Sequence, residues 1–396
     1  MGDLAPFALP KWVESNKDNV KLGLAGSAAP SLSIQDLIDL STDKETTSAN
    51  LSIQSLKLSL GPFDGSEPLR KQIAALYDDS VNAEHIFPTH GTTGANALVF
   101  QSLLSPGDHV IAMYPCYTQL ISLPKSVPGV EVSYWTLDLQ NGAQANIQQL
   151  QELIKPNTKM IILNNPNNPL GSVLPVSKAN EIVNLARTHD LTILVDEIFR
   201  PLFYTDLAPP SFISLSTPAD KIVVTSSMSK AWGLSGTRIG WVATLNTSIL
   251  SQCFDRGLYT IMSLSSIDSV IATEALSDRC RPQILARHLD IARKNIALLD
   301  AFVESSKGLC EWVRPVGGGT GFVKFLDKKG EPLDDVLFCR GLKEKKGVLA
   351  APGSLCFGAR GGEEFRGYVR VHITVDPGVL ETALAAIGEF LEESTE

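Results

Sequence analysis

The stretch Ser227-Met-Ser-Lys-Ala-Trp-Gly-Leu-Ser-Gly-Thr-Arg-Ile-Gly-Trp241 combines a lysine with hydroxyl groups, glycines and an arginine. It follows Lys221-Ile-Val-Val-Thr225, an apolar run rich in β-branched residues that predicts a buried strand. The serine hydroxyls and the guanidinium of Arg238 suit a phosphate group, because both are good donors to anionic oxygens. The primary amine of Lys230 can form a Schiff base with an aldehyde. The stretch therefore predicts a site for an aldehyde that carries a phosphate.

This segment resembles the cofactor-lysine motif of the class I/II aminotransferases, which are pyridoxal-phosphate enzymes of fold type I. Two other interpretations of Lys230 stay open at this point. Ser-x-x-Lys also occurs as a nucleophile motif in penicillin-binding proteins and β-lactamases, and a surface lysine in a serine-rich loop needs no function. The rest of the chain has to decide between them.

Composition restricts the class of protein. With 396 residues, of which 44% are hydrophobic and 19% charged, the chain can bury a large core, and we expect two domains. A net charge of −9 disfavours a nucleic-acid partner. The start of the chain lacks a basic leader followed by an apolar run, and the sequence contains no apolar stretch of membrane-spanning length. Six cysteines without a Cys-x-x-Cys pair suggest neither a zinc site nor a disulfide framework, so a cytoplasmic protein without metal is expected.

A second phosphate-binding element is predicted at His90-Gly-Thr-Thr-Gly-Ala-Asn-Ala-Leu-Val-Phe100, a loop that opens a helix. The free N–H groups of a helix N-terminus bind anions, so Gly91, Thr92 and Thr93 form a candidate cradle. Tyr117 follows the predicted strand Val110–Tyr114. The resemblance implies that Tyr117 stacks on the pyridine ring of the cofactor, although a tyrosine of the core would fit the pattern as well.

Two more strands lead into polar residues. Strand 159–163 precedes Asn164-Asn-Pro-Asn-Asn-Pro-Leu-Gly171, which resembles the family pattern Asn-x-Pro-x-Asn-Pro-Thr-Gly. The resemblance implies that Asn168 contacts the phenolic oxygen of the cofactor and lies near the substrate carboxylate. Strand 191–195 ends at Asp196, and ligands of α/β sheets bind at the carboxyl ends of strands. Asp196 is therefore the candidate partner of the pyridine nitrogen.

The chain departs from the family pattern at three positions. Leu60 stands where the family has a tyrosine that reaches the cofactor phosphate across a dimer interface, and Leu170 replaces a threonine. Phe199 replaces a tyrosine that donates to the phenolic oxygen. A lost hydrogen bond to a charged oxygen costs about 1.5–3 kcal/mol. We therefore expect the Schiff base of this protein to keep its proton to a higher pH than in other members.

The last part of the chain predicts a smaller α+β domain. A long amphipathic run, 282–305, precedes a glycine-rich candidate strand, 313–325. The alternating run Tyr368–Thr374 carries Arg370, which matches the family arginine that binds the substrate α-carboxylate through two parallel hydrogen bonds. The predicted fold is α/β: a large domain (46–294) with a mostly parallel seven-stranded sheet flanked by helices, and a small domain from 1–45 and 295–396.

The resemblance implies an aminotransferase that binds pyridoxal 5'-phosphate at Lys230 and removes the α-proton of an L-amino acid. The product would be a keto acid, with an oxo-acid as the possible second substrate and a homodimer as the expected assembly. Elimination, cyclisation, decarboxylation or oxidative deamination with the same cofactor stays an alternative, and a non-catalytic cofactor-binding regulator is a more remote one. The candidate cofactor-binding residues are Gly91, Thr92, Thr93, Tyr117, Asn168, Asp196, Phe199, Ser227, Ser229, Lys230 and Arg238. Lys230 and Asp196 are the catalytic candidates, and Arg370 with Asn168 would hold the carboxylate.

Overall fold

The computed structural model describes residues 6–205, 208–361 and 364–395. Its helices are α1 (Ala8–Ser15), α2 (Ile34–Leu40), α3 (Lys44–Asn50), α4 (Glu67–Ala74), α5 (Gly91–Leu103), α6 (Gln119–Ser122), α7 (Ile147–Glu152), α8 (Val176–Thr188), α9 (Thr247–Thr260), α10 (Ser266–Ala275), α11 (Arg281–Ser305), α12 (Asp335–Lys346), α13 (Gly353–Phe357) and α14 (Pro377–Thr395). Its strands are β1 (Leu22–Gly23), β2 (Ile86–His90), β3 (His109–Tyr114), β4 (Glu131–Thr136), β5 (Thr158–Asn164), β6 (Thr192–Asp196), β7 (Ile222–Ser227), β8 (Ile239–Ala243), β9 (Cys310–Trp312), β10 (Thr320–Phe325), β11 (Val348–Leu349), β12 (Ala351–Pro352) and β13 (Tyr368–His372).

A seven-stranded sheet forms the centre of the molecule, with the strand order β2-β8-β7-β6-β5-β3-β4. The pairs from β7 through β4 are parallel, and β8 is antiparallel to both of its neighbours. Helices cover both faces of such a sheet, so its central strands are buried on both sides and read as continuous apolar runs. Met160–Leu163 and Ile193–Val195 are fully buried for this reason. The predicted mostly parallel sheet is confirmed.

The parallel strands bring their polar ends together. Asn164 at the end of β5 pairs in register with Asp196 at the end of β6, and Asp196 pairs with Thr225 of β7. Because parallel strands share one carboxyl edge, residues that are far apart in sequence become neighbours there. This edge of the sheet places the candidate site.

A smaller unit contains the antiparallel sheet β12-β13-β10-β9 and the short parallel pair β1-β11. The single strand expected over 313–325 is instead a turn followed by β10, because Pro315 cannot donate to a sheet and Gly318 adopts φ +85°. The amphipathic run 282–305 forms α11, which passes residue 294 without a break. The domain boundaries 46–294 and 1–45 with 295–396 therefore stay a prediction.

Two short helices lie in the leading segment of the chain. The side chain of Ser33 caps α2 by accepting a hydrogen bond from the Asp36 N–H. The first helix, α1, was not expected, and its buried Leu9 and Trp12 hold it against the body of the protein. The indole Nε1 of Trp12 donates to the Ala350 carbonyl at 2.9 Å. In the described part of the chain, the helices all fall short of the length and apolarity that a membrane span requires.

Candidate active site

A cavity of about 420 Å³ lies at the carboxyl edge of the large sheet. Among the predicted site residues, those that line it are Thr92, Thr93, Tyr117, Asn168, Asp196, Phe199, Ser229, Lys230, Arg238 and Arg370. The structure therefore brings together residues from sequence positions 92 to 370. Gly91 and Ser227 lie behind this lining and support it.

Lys230 follows the end of β7 and points its amine at the leading segment of the chain. Its Nζ donates to Ser27 Oγ at 2.9 Å. Burial, assisted by the positive charge of Arg370, lowers the pKa of Lys230 to about 8. A substantial fraction of its amine is therefore neutral near physiological pH and can act as a nucleophile or base.

Asp196 is held by a network that the sequence did not reveal. Asn96 Nδ2 donates to Asp196 Oδ2 at 3.0 Å, and the backbone N–H of Ile198 donates to Oδ1 at 3.1 Å. Thr225 Oγ1 donates to Asn96 Oδ1 at 2.6 Å and fixes the orientation of that amide. Burial raises the pKa of Asp196 to about 6, and the Asn96 hydrogen bond opposes this rise.

Asn96 lies one helical turn after the phosphate-cradle residues, on the buried face of α5. A fully buried polar residue in an apolar helix needs a hydrogen-bonding partner. The sequence position of Asn96 could have indicated such a role, but the partner 100 residues away could not be read from it.

The N-terminus of α5 faces Arg238, and both offer hydrogen-bond donors that suit an anion. The hydroxyl of Thr92 is buried and has no hydrogen-bond partner within the residues that the structure describes. Arg238 Nη1 donates to the Ser235 carbonyl at 3.0 Å. Gly91 has φ +70°, and a Cβ there would lie 2.6 Å from Arg238 Nη2. A free hydroxyl, a guanidinium and a helix N-terminus on one wall suit a phosphate.

Arg370 lies on β13 at the opposite part of the lining and is fully desolvated. Its Nη1 donates to Asn168 Oδ1 at 3.1 Å, and its Nη2 donates to the Ala25 carbonyl. Its Nε has no partner among residues 6–205, 208–361 and 364–395. Burial lowers the pKa of Arg370 to about 10, so the group stays charged at neutral pH. A buried cation next to an amide oxygen is suited to a carboxylate.

Aromatic rings complete the lining. Tyr117 meets Phe7 edge to face, with 5.4 Å between the ring centroids. Phe199 is buried and packs against the glycine segment before β10. A Cβ on Gly319 would lie 2.3 Å from the Ser27 carbonyl oxygen and 3.0 Å from Phe199 Cε1. Gly319 therefore lets the Ser27 segment approach Lys230 closely.

The other predicted positions have supporting or peripheral places. Ser227 is buried, and its Oγ accepts from the Ser229 N–H at 3.2 Å. Leu170 is buried, whereas Leu60 is 67% exposed and lies outside the cavity lining. In contrast, no sequence pattern indicated that α1 lines the cavity through Leu9, Pro10, Val13 and Glu14.

These residues fit pyridoxal phosphate by their chemistry. Thr92 presents an unused buried hydroxyl beside Arg238, Lys230 presents an amine of lowered pKa, and Asp196 presents a carboxylate fixed by two donors. Thr92 and Arg238 suit the phosphate of that cofactor, Lys230 suits its aldehyde, and Asp196 suits its ring nitrogen.

Comparison with known proteins supports the same conclusion. The family model "Aminotransferase class I and II" matches residues 31–387. Capreomycidine synthase of Streptomyces vinaceus is 27% identical over 331 residues, which are 84% of this chain and 80% of that protein. Aspartate aminotransferase of Thermotoga maritima is 27% identical over 345 residues, covering 84% of this chain and 82% of its own length.

A solved structure extends the likeness over almost the whole chain. The PLP-dependent aminotransferase from Streptococcus suis superposes with a TM-score of 0.89 at 34% identity, and the match covers 99% of this chain and 98% of the other. The family match, the sheet and the cavity agree: this chain belongs to the class I and II aminotransferases, and it is a pyridoxal-phosphate-dependent enzyme.

Proposed function

We propose that this enzyme transaminates an L-amino acid, with Lys230 as the residue that binds the cofactor and moves the α-proton. The observation that carries the proposal is that Lys230, Asp196 and Arg370 face one cavity. Burial lowers the pKa of Lys230 and raises that of Asp196, whereas Arg370 stays charged at neutral pH. The three groups are therefore suited to different tasks.

Arg370 binds and orients the substrate. Its guanidinium is held by Asn168 and by the Ala25 and Gly26 carbonyls, and its Nε is the nitrogen left without a partner among the described residues, a donor for the substrate carboxylate. Because the site is desolvated, a charge-assisted pair there is stronger than at the surface. This contact would turn the α-carbon towards Lys230.

Asp196, Thr92 and Arg238 would hold the cofactor, with Asp196 at its ring nitrogen and the other two at its phosphate. When bound, the cofactor withdraws electrons from the α-carbon of the substrate and weakens its C–H bond. Lys230 Nζ then accepts that proton, which its lowered pKa allows. Ser27 Oγ accepts a hydrogen bond from the amine and keeps it oriented between transfers.

Loss of Lys230 tests this assignment. The wild-type protein is expected to gain visible absorbance when it is reconstituted with pyridoxal phosphate, and to form keto acid from an amino acid and an oxo-acid. Lys230→Ala should show neither the Lys230-dependent absorbance nor measurable turnover. Lys221→Ala is the matched control, because Lys221 pairs with Asp190 at 2.7 Å on the surface. Equal spectra and rates for wild type and Lys230→Ala would refute the proposal.

Diversion of the same cofactor to another reaction is the second candidate. It is supported by Phe199, which offers no hydroxyl where the family has one, and by a relative that is named a synthase. Ammonia, peroxide or a cyclic product in place of keto acid in the same assay would favour this candidate.

We also propose that the enzyme is a homodimer of the cytosol. Large apolar side chains are exposed before α4 and at the end of α9, namely Leu58, Leu60, Phe63, Tyr259 and Met262. We call this surface the leucine patch. The chain around Ser59 contacts the start of α10, because Ser266 Oγ donates to the Ser59 carbonyl at 3.4 Å. A second copy of the chain would remove this apolar area from water. All six cysteines are free and buried, in keeping with a reducing compartment.

A further inference from the structure

The charged side chains that line the cavity are Glu14, Asp196, Lys230, Arg238 and Arg370. The proposed function uses the last four of them, for the ring nitrogen, the aldehyde, the phosphate and the substrate carboxylate. Among the described residues, Glu14 is thus the charged lining group that has no task in the chemistry. The side chain of the substrate is the part that the other four groups do not bind. Glu14 is therefore the charged lining group available to contact that side chain.

Helix α1 holds Glu14 at this place. Leu9 and Trp12 are 7% and 5% exposed and anchor the helix, and the Trp12 indole donates to the Ala350 carbonyl. Phe7, just before the helix, contacts the Tyr117 ring that lines the cavity. The wall that α1 presents is therefore fixed by packing on two sides.

The wall itself is apolar with one carboxylate. Leu9, Pro10 and Val13 supply its apolar part, and Glu14 follows them on the same helix. A side chain with an aliphatic stem and a terminal cation matches both parts, because the stem can cover apolar surface while the charged end meets the carboxylate.

Glu14 has a partner that a substrate could replace. It pairs with Lys17, and the two side chains are 72% and 58% exposed. Exposed pairs of this kind contribute little, because solvent screens the charges and both side chains lose freedom. A substrate cation that enters the cavity with its carboxylate already held would compete well with Lys17.

We propose that Glu14 selects amino acids with an aliphatic stem and a terminal cation, the class that contains lysine, ornithine and arginine. The inference rests on the proposed function, because it takes the α-carboxylate to be held at Arg370. It adds a specificity-determining residue and a substrate class to that function.

A binding experiment without turnover tests the inference. Hexanoate and 6-aminohexanoate share a carboxylate and an aliphatic stem, lack an α-amine, and differ in the terminal cation. Calorimetry on the cofactor-loaded enzyme should show about two- to fivefold tighter binding of 6-aminohexanoate, the size expected for an exposed carboxylate. Glu14→Gln should reduce this preference to about onefold and leave the affinity for hexanoate unchanged. Glu152→Gln is the control, since it changes the net charge equally on an exposed helix outside the cavity lining.

Kinetics supply an independent readout. The ratio of kcat/KM for L-lysine to that for L-norleucine should fall about two- to fivefold in Glu14→Gln, mainly through KM, and Lys17→Ala should not lower it. Equal affinity of the wild-type enzyme for the two carboxylates, or a preference that survives Glu14→Gln, overturns the role of Glu14 and leaves the proposed function standing. Absence of binding for both carboxylates would overturn the inference together with the assignment of Arg370.

Discussion

Asn96 shows how one neutral side chain can maintain the charge of a buried carboxylate. Burial favours the protonated form of Asp196, whereas the amide of Asn96 stabilises the ionised form. Thr225 prevents the amide from turning around, because its hydroxyl donates to the amide oxygen. The ionised form is the one that can pair with a protonated ring nitrogen.

Asn96→Ala is therefore expected to weaken cofactor binding by about tenfold or more, the usual effect of removing a hydrogen bond to a charged group. The loss of the donor raises the pKa of Asp196 above its value of about 6, so the defect should be larger at pH 6 than at pH 8. Equilibrium dialysis of the cofactor at both pH values measures this. Ser102→Ala on the same helix serves as control, since its hydroxyl contacts the Leu98 carbonyl and Cys253 rather than Asp196. A defect that does not depend on pH would contradict this role of Asn96.

Phe199 is expected to influence the pKa of the Schiff base between Lys230 and the cofactor. It is 1% exposed, lines the cavity and brings no hydroxyl to it. We predict that Phe199→Tyr lowers the pH midpoint of the visible absorbance of the cofactor-loaded enzyme by about one to two units, since a new donor to the phenolic oxygen favours the deprotonated form. The prediction is checked by titrating wild type and variant side by side. A midpoint that stays in place would mean that another group already supplies the hydrogen bond.

The contact between α5 and the Lys230 segment sets the geometry of the proposed phosphate cradle. Gly91 starts α5 with φ +70° and packs against Gly240 of β8, where a Cβ would come within 2.3 Å of the Gly91 carbonyl carbon. Two glycines in contact let the helix terminus and the strand approach more closely than side chains would permit.

Gly91→Ala should therefore displace the Arg238 guanidinium and cost about 1–2 kcal/mol of folding free energy for the left-handed conformation. Cofactor affinity should fall at the same time, because Arg238 is the cationic part of the cradle. Urea unfolding and cofactor titration measure the two effects. Gly94→Ala is the matched control on α5, since the nearest atom to its Cβ is 3.7 Å away and alanine favours a helix. Equal stability and equal cofactor affinity of Gly91→Ala and Gly94→Ala would show that the close approach at Gly91 does not contribute to cofactor binding.

The expected homodimer rests on the leucine patch. Leu60 is 67% exposed although it is a large apolar residue, and Leu58 beside it is 75% exposed. Monomeric proteins rarely leave several such side chains on adjoining segments in water. The loss of the family tyrosine at position 60 thus need not remove the interface, because leucine supplies apolar area there.

Leu60→Glu is expected to shift the protein from dimer to monomer, because a charge would have to be buried in the interface. Light scattering coupled to gel filtration gives the mass directly. Leu337→Glu, at a residue on α12 with 63% exposure, introduces the same charge elsewhere and should leave the dimer intact. A wild-type protein that is monomeric at micromolar concentration would refute the dimer.

Local sequence patterns were enough to predict the strands and the polar residues that follow them. Apolar runs before Asn164 and Asp196 predicted buried strands, and the structure shows them as β5 and β6 of the confirmed sheet. Periodicity and strand composition are local properties, so a single chain segment is enough to reveal them. The residues of the lysine segment could be recognised for the same reason.

The distant residues that complete the cavity become visible when the chain is folded. Ser27 meets Lys230 across 203 positions, Asn96 meets Asp196 across 100, and α1 brings Glu14 to the rim. None of these contacts leaves a periodic pattern in the sequence, because each depends on how separate elements pack. The candidate catalytic and binding residues thus lie in short motifs, whereas the environment that shifts their pKa values arises from long-range packing.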